Sequence, residues 1–168
     1  MRRVMVALCG LFLGLSVFSG VSLAAEKFAY VDLSQIFSEY SKTKDYDKAL
    51  SDKEKVYTTE RDKKISDIKQ YQDKYNLLSD KEKEAKKGEL ETKMKSFQEY
   101  DRQKQTDLRK EQDEKMKEIL KDIEDAVKEY SEKEGYSLVF NDRVLVYENK
   151  SFDITDKIVV ILNKKYKK

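Results

Sequence analysis

The spacing of apolar residues changes along this chain, and each spacing predicts a different element. They follow one another almost without a break from Val4 to Val21, then cluster again from Phe28 to Tyr40. Between Ser41 and Glu134 they recur singly among charges, and from Tyr136 onward they cluster once more. Phe28-Ala29-Tyr30-Val31 is aromatic and β-branched and predicts a strand. Asp32, with Gln35 three residues later, is a capping pair, so a short helix is expected from Leu33 to Tyr40. Leu33, Ile36, Phe37 and Tyr40 would share one of its faces.

The charged middle zone has no proline, and Gly88 is its single glycine, so helix is the regular structure open to it. Acid-before-base pairs four apart support this: Glu60 and Lys64, Glu82 and Lys86, Glu91 and Lys95, Glu111 and Lys115. Tyr46, Leu50, Tyr57, Ile68, Tyr71, Tyr75 and Leu78 follow three- and four-residue steps, with Lys53, Arg61 and Lys64 in the gaps. Leu90, Met94, Phe97 and Leu108 resume the steps around Asp101 and Lys104, and Ile119, Ile123, Ala126 and Tyr130 complete them. This is a thin, partly polar coiled-coil seam. Ser79-Asp80-Lys81-Glu82 is a capping box, which places a reversal near Asn76 to Ser79. A descending helix from about Lys42 to Leu77 and a longer ascending helix ending at Gly135 are expected. A turn near Leu78 would set Asp62 opposite Lys95.

After Gly135, Tyr136 to Phe140 and Val144 to Tyr147 read as a β-hairpin with a three-residue connection. Asp153 is expected to cap a final helix striped by Ile154, Ile158, Ile161 and Leu162. The expected fold is therefore α+β but predominantly α: a long antiparallel helical hairpin on a small β-containing body. In segments, this gives residues 25–41 and 135–168 as the two parts of the body, and 42–134 as the arm, with its tip near 76–80.

The opening run changes the picture of composition. Arg2 and Arg3 before it and Ser22-Leu23-Ala24 after it make residues 1–24 a cleavable secretory signal, with the mature chain starting next to Ala25. Glycines and serines dilute the run against a retained membrane anchor, and Leu8 before Cys9 speaks against a lipid attachment site. The mature chain then has 33 Lys and Arg against 33 Asp and Glu, with no cysteine, histidine, tryptophan or proline. No Ser-His or Cys-His pair and no imidazole or thiolate zinc site can be built from it. Formal neutrality and export argue against nucleic acid as a partner. No catalytic, cofactor-binding or metal-ligating residue is nominated, and the chain is not expected to be an enzyme.

In this order the chain resembles the Skp/OmpH family of periplasmic chaperones over its whole mature length. The residues that carry the likeness are Phe28 to Asp32 with Ile36-Phe37, Gly135 to Phe140, Val144 to Tyr147, Asp153 to Asp156, and Leu162-Asn163. The resemblance implies a jellyfish-shaped homotrimer, with strands of three subunits joined in a trimerisation body and three helical arms around a cavity. It implies an ATP-independent holdase that keeps unfolded outer-membrane β-barrel proteins from aggregating in the periplasm. Open apolar edges on so small a body favour association independently. Tyr30, Ile36, Phe37, Leu138, Phe140, Val146, Ile158 and Leu162 are expected in the body core or its subunit contacts. Val56, Ile65, Leu77, Tyr100 and Met116, off the seam, are the candidate client contacts on the arm. The chain departs from strongly basic arms, since its middle zone has 25 Lys and Arg against 26 Asp and Glu. Only the tip, residues 69–95, is basic, with eight lysines against six acids. That leaves room for a transient membrane-surface contact through the tips, and no lipid or lipopolysaccharide site is carried over. A structural coiled-coil spacer that binds a folded envelope partner is the alternative reading.

Overall fold

A computed structural model describes residues 26–167; the secretory signal read in residues 1–24 lies outside the described residues. The elements run β1 (Phe28–Val31), α1 (Leu33–Glu39), α2 (Ser41–Asn76), α3 (Asp80–Glu134), β2 (Leu138–Asn141) and α4 (Thr155–Tyr166), with short 3₁₀ turns at Asp142–Val144 and Lys150–Phe152. The caps explain the boundaries. Asp32 accepts from the Gln35 amide at 2.9 Å and starts α1. Ser79 donates its amide to Glu82 at 3.0 Å and starts α3. Gly135 closes α3 at φ 75°, a left-handed conformation that costs a side-chain-bearing residue about 1–2 kcal/mol.

α2 and α3 form the arm. At 1.5 Å per residue, the 36 residues of α2 span roughly 54 Å and the 55 residues of α3 roughly 82 Å. The surplus of α3 runs into the body. There Ile119, Ile123 and Ala126 join Ala29, Val31, Ile36, Tyr40, Ile154, Ile158, Val159 and Leu162 in one apolar cluster. Complete burial of Ile36, Ile158 and Leu162 is worth about 1.5–3 kcal/mol each before the cost of ordering the chain.

The sheet departs from the expected hairpin. β1 and β2 pair in parallel, Phe28 opposite Leu138 and Val31 opposite Asn141, with α1 and the whole arm as the crossover between them. Residues 144–147 form no strand. The Asn141 and Asp142 side chains both accept from the Arg143 amide, and the Leu145 amide bonds back to Asp142. The resulting 3₁₀ turn leads the chain away from β2 instead of reversing it beside β2. Asp153 accepts from the Thr155 amide at 2.9 Å, although Ile154 occupies the cap position itself. The Thr155 hydroxyl in turn accepts from the Asp32 amide at 2.9 Å, which ties the start of α4 to the end of β1.

Candidate functional site

The arm is held together by a seam that is apolar at its two ends and polar in the middle. Ile119, Ile123 and Ala126 are buried at the root and Leu90 toward the tip, whereas α2 buries no residue at all. The polar residues that interrupt the apolar spacing on α2 find polar or aromatic partners on α3, and Arg61 meets an interrupting residue of α3, Asp101. Lys53 pairs with Glu111 at 2.5 Å, and Arg61 donates to Asp101 at 3.0 Å. Asp101 also accepts from the Tyr57 hydroxyl at 2.6 Å and from Gln105 at 2.9 Å. Lys64 lies 4.7 Å from the Tyr100 ring centroid, and Lys93 lies 5.2 Å from that of Tyr71, which adds cation–π attraction to the thin seam. The cationic gaps on α2 are thus each given a partner across the hairpin.

The register differs from the expected one. Arg61 faces Asp101 and Glu60 receives the Tyr100 hydroxyl, so Asp62 lies beside that stretch and not opposite Lys95. The reversal is asymmetric. α2 stops at Asn76, whereas α3 starts three residues after Leu77 and its first turn has yet to come alongside.

At the root the two helices are clamped by charge. Lys42, with only 13 % of its side chain exposed, bonds Glu118 at 2.6 Å and Asp122 at 2.7 Å. Tyr46 donates to Glu118 at 2.8 Å and Tyr40 to Asp122 at 2.9 Å. The hydrogen bonds from Lys42 and then Tyr46 pull the Glu118 carboxyl down to about 2. Burial alone would lower the Lys42 pKa, but its two carboxylate partners outweigh that and raise it above the usual lysine value.

Of the five arm residues nominated from the sequence, Val56, Ile65, Leu77 and Met116 are exposed, Leu77 most at 88 %. Tyr100 is not a free surface residue. Its hydroxyl bonds Glu60, which pushes its pKa up to about 12, and its ring lies 6.4 Å from that of Tyr57. Met94, expected in the seam, is exposed. Beside the seam, Lys53, Val56, Tyr57, Lys104 and Leu108 line a groove of about 480 Å³.

Of the body residues, Tyr30, Ile36, Ile158 and Leu162 are buried and Phe37 packs at the edge of the core. Leu138, Phe140 and Val146 are not in that core; they are exposed on the single chain, Val146 fully. Their neighbours Val144, Tyr147 and Phe152 are exposed with them. Leu120, Val127, Tyr136, Leu138 and Phe140 line an apolar groove of about 630 Å³ between α3 and β2. Leu120 was not nominated, yet it sits off the seam four residues after Met116, so the same spacing would have found it. The exposure of Val144 and Tyr147 was hidden by the expected hairpin. Among the described residues there is no cluster of three or more acids, cysteines or histidines able to hold a metal.

Comparison with known proteins adds to this geometry. Residues 27–162 match the family model described as outer membrane protein, OmpH-like. The chain is 30 % identical over 156 residues to the chaperone protein Skp of Yersinia enterocolitica, covering 90 % of this chain and 95 % of that one. It is 29 % identical over 164 residues to the chaperone protein Skp of Pectobacterium atrosepticum, with the same coverage. Its fold resembles the crystal structure of an OmpH-like outer membrane chaperone from Caulobacter crescentus, with a TM-score of 0.76 at 12 % identity. That likeness covers 84 % of this chain and 86 % of the other.

Proposed function

The chain belongs to the OmpH-like family, and from that premise we propose that it is a periplasmic, ATP-independent holdase chaperone. It binds unfolded outer-membrane β-barrel proteins in a cavity between the arms of a homotrimer. The observation that carries this reading is the arm's inability to bury itself. α2 has no buried residue, and Val56, Ile65, Leu77 and Met116 stand singly in a densely charged surface. Such a surface offers many weak, reversible apolar contacts and no single tight one, which suits clients that must be released without fuel. Leu77 at the apex, among the tip lysines, also supports a brief contact with a membrane surface.

Association through the body is supported by the open edge of β2 and by the exposed Val144, Val146 and Tyr147. An unpaired edge beside exposed apolar residues is a surface that another copy can cover.

Arm truncation tests the reading. Because Arg61 meets Asp101, replacing residues 63–99 by a short glycine-containing turn shortens both helices in register. The shortened protein is expected to keep its number of subunits and its body fold while losing most suppression of β-barrel client aggregation. Equal protection by shortened and full-length protein, or none by the full-length trimer, overturns the proposal.

A further inference from the structure

The two legs of the arm are fixed to the body in different ways. α3 continues into the core, where Ile119, Ile123 and Ala126 hold it. α2 has no fully buried residue and follows the buried Tyr40, an extended residue at φ −69° and ψ 120°. Lys42 ties it to α3 and Tyr46 to the edge of the core, so side-chain contacts hold its foot to α3 but leave its first backbone groups open. That junction leaves backbone groups without partners: the last carbonyls of α1 and the first amides of α2. Tyr40 makes no side-chain cap on α2; its hydroxyl, at the far end of a rigid ring, donates to Asp122 on α3.

A residue from the other end of the chain supplies one partner of each kind. The Asn163 side-chain oxygen, on α4, accepts from the Ser41 amide at 2.7 Å, and its nitrogen donates to the Glu39 carbonyl at 3.2 Å. An amide of this length can accept and donate at once; a carboxylate could do only the first and a methyl group neither. Tyr166, also from α4, supports the same leg one turn further on. Its hydroxyl bonds Asp45 at 2.9 Å, and its ring meets that of Tyr40 edge-on at 6.0 Å.

We propose that Asn163 is a positioning residue that braces the arm by pinning the foot of α2, so that its amide controls how far the arm swings from the body. A single helix leaving a core is a cantilever and bends easily. With its second leg pinned it becomes a strut, because bending then requires α2 to slide along α3. The lever is long: a 10° bend at the root moves a tip roughly 54 Å away by about 9 Å. The inference rests on the proposed cavity only for its consequence, since tip position would set the cavity's width. The brace itself is a property of one chain.

The test uses the mature protein, whose lack of cysteine allows clean labelling. Leu77→Cys at the tip and Val160→Cys on the exposed face of α4 carry spin labels, and labelled chains are diluted into unlabelled protein. The distance between labels is expected to be narrowly distributed in the parent and at least twice as broad in Asn163→Ala. Asn163→Asp, which keeps the acceptor for Ser41 but loses the donor to the Glu39 carbonyl, should give a width between those of the parent and Asn163→Ala. Ser41→Pro removes the donor from the other side at a first-turn position that tolerates proline, and should broaden the distribution without touching α4. In Asn163→Ala the Ser41 amide should exchange about five- to tenfold faster, with the amides of Ile123 and Ile158 unchanged. Unaltered widths in both Asn163→Ala and Ser41→Pro would overturn the brace, even if thermal stability fell. A braced parent that fails to protect clients would leave the brace standing and remove only the chaperone reading.

Discussion

Body and arm solve the problem of stability in opposite ways within one chain. The body gathers its apolar residues from β1, α1, α4 and the last part of α3 into one cluster, with Ile36 and Ile158 fully buried. The arm spreads its apolar residues thinly and relies on helix-forming residues, matched polar layers and anchorage at the root. The difference shows that a long projecting element need not own a core. It can draw its order from one end and keep its surface available.

Substituting the buried Ile158 tests the body half of this contrast and should have the largest effect. Ile158→Asp places a carboxylate at a position with 0 % exposure and should cost at least several kcal/mol, enough to unfold the body. Val146→Asp, at a fully exposed position, should leave the circular dichroism of the chain intact and lower only the native mass. Normal stability in Ile158→Asp would show that the core is misplaced, and an unchanged native mass in Val146→Asp would show that residue 146 is not part of a subunit contact.

The arm half responds to its polar layer. Asp101→Ala leaves Arg61 and the Tyr57 hydroxyl without their shared acceptor and should destabilise the arm by about 1–2 kcal/mol, since the site is partly exposed. Replacing Arg61 and Asp101 together by leucine should recover that loss. Hydrogen exchange localised to residues 53–64 and 100–111 reads both results, and a change that reached the body amides would mean that body and arm are not separable.

The smallest effect is expected at Gly88. A side chain built there meets nothing within 4 Å and the backbone is helical, so Gly88→Ala should stabilise the arm by about 0.5–1 kcal/mol. Thermal melting of the variant, with client protection measured alongside, would show whether extra stiffness near the tip carries a functional cost.

The arm was the more legible half. Its limits follow from local signals, namely the Ser79 box and Gly135, and its seam from spacing that a helix must obey. The short-range rules failed where a partner lay far away in sequence. Val144 to Tyr147 have the composition of a strand, yet β2 found its neighbour in β1, on the far side of the arm. Asp62 was placed by assuming a symmetric reversal, which the backbone does not make. Tyr100 lies off the apolar spacing, but its long side chain reaches Glu60 across the hairpin. Asn163 carries no local signal beyond the family likeness, because nothing in its neighbourhood says that an asparagine near the end of the chain caps a helix that starts at Ser41.

The parallel pairing of β1 with β2 has a consequence for entropy. Between the two strands lie roughly a hundred residues, and as a flexible loop they would cost about 4 kcal/mol to close. Zipped into a hairpin, the same residues return the chain to its point of departure, so that the Ser137 amide meets the Lys27 carbonyl at 2.8 Å. The arm therefore works as a fastener for the body that carries it: its own closure brings the ends of a four-residue sheet together, and the sheet need not search for itself.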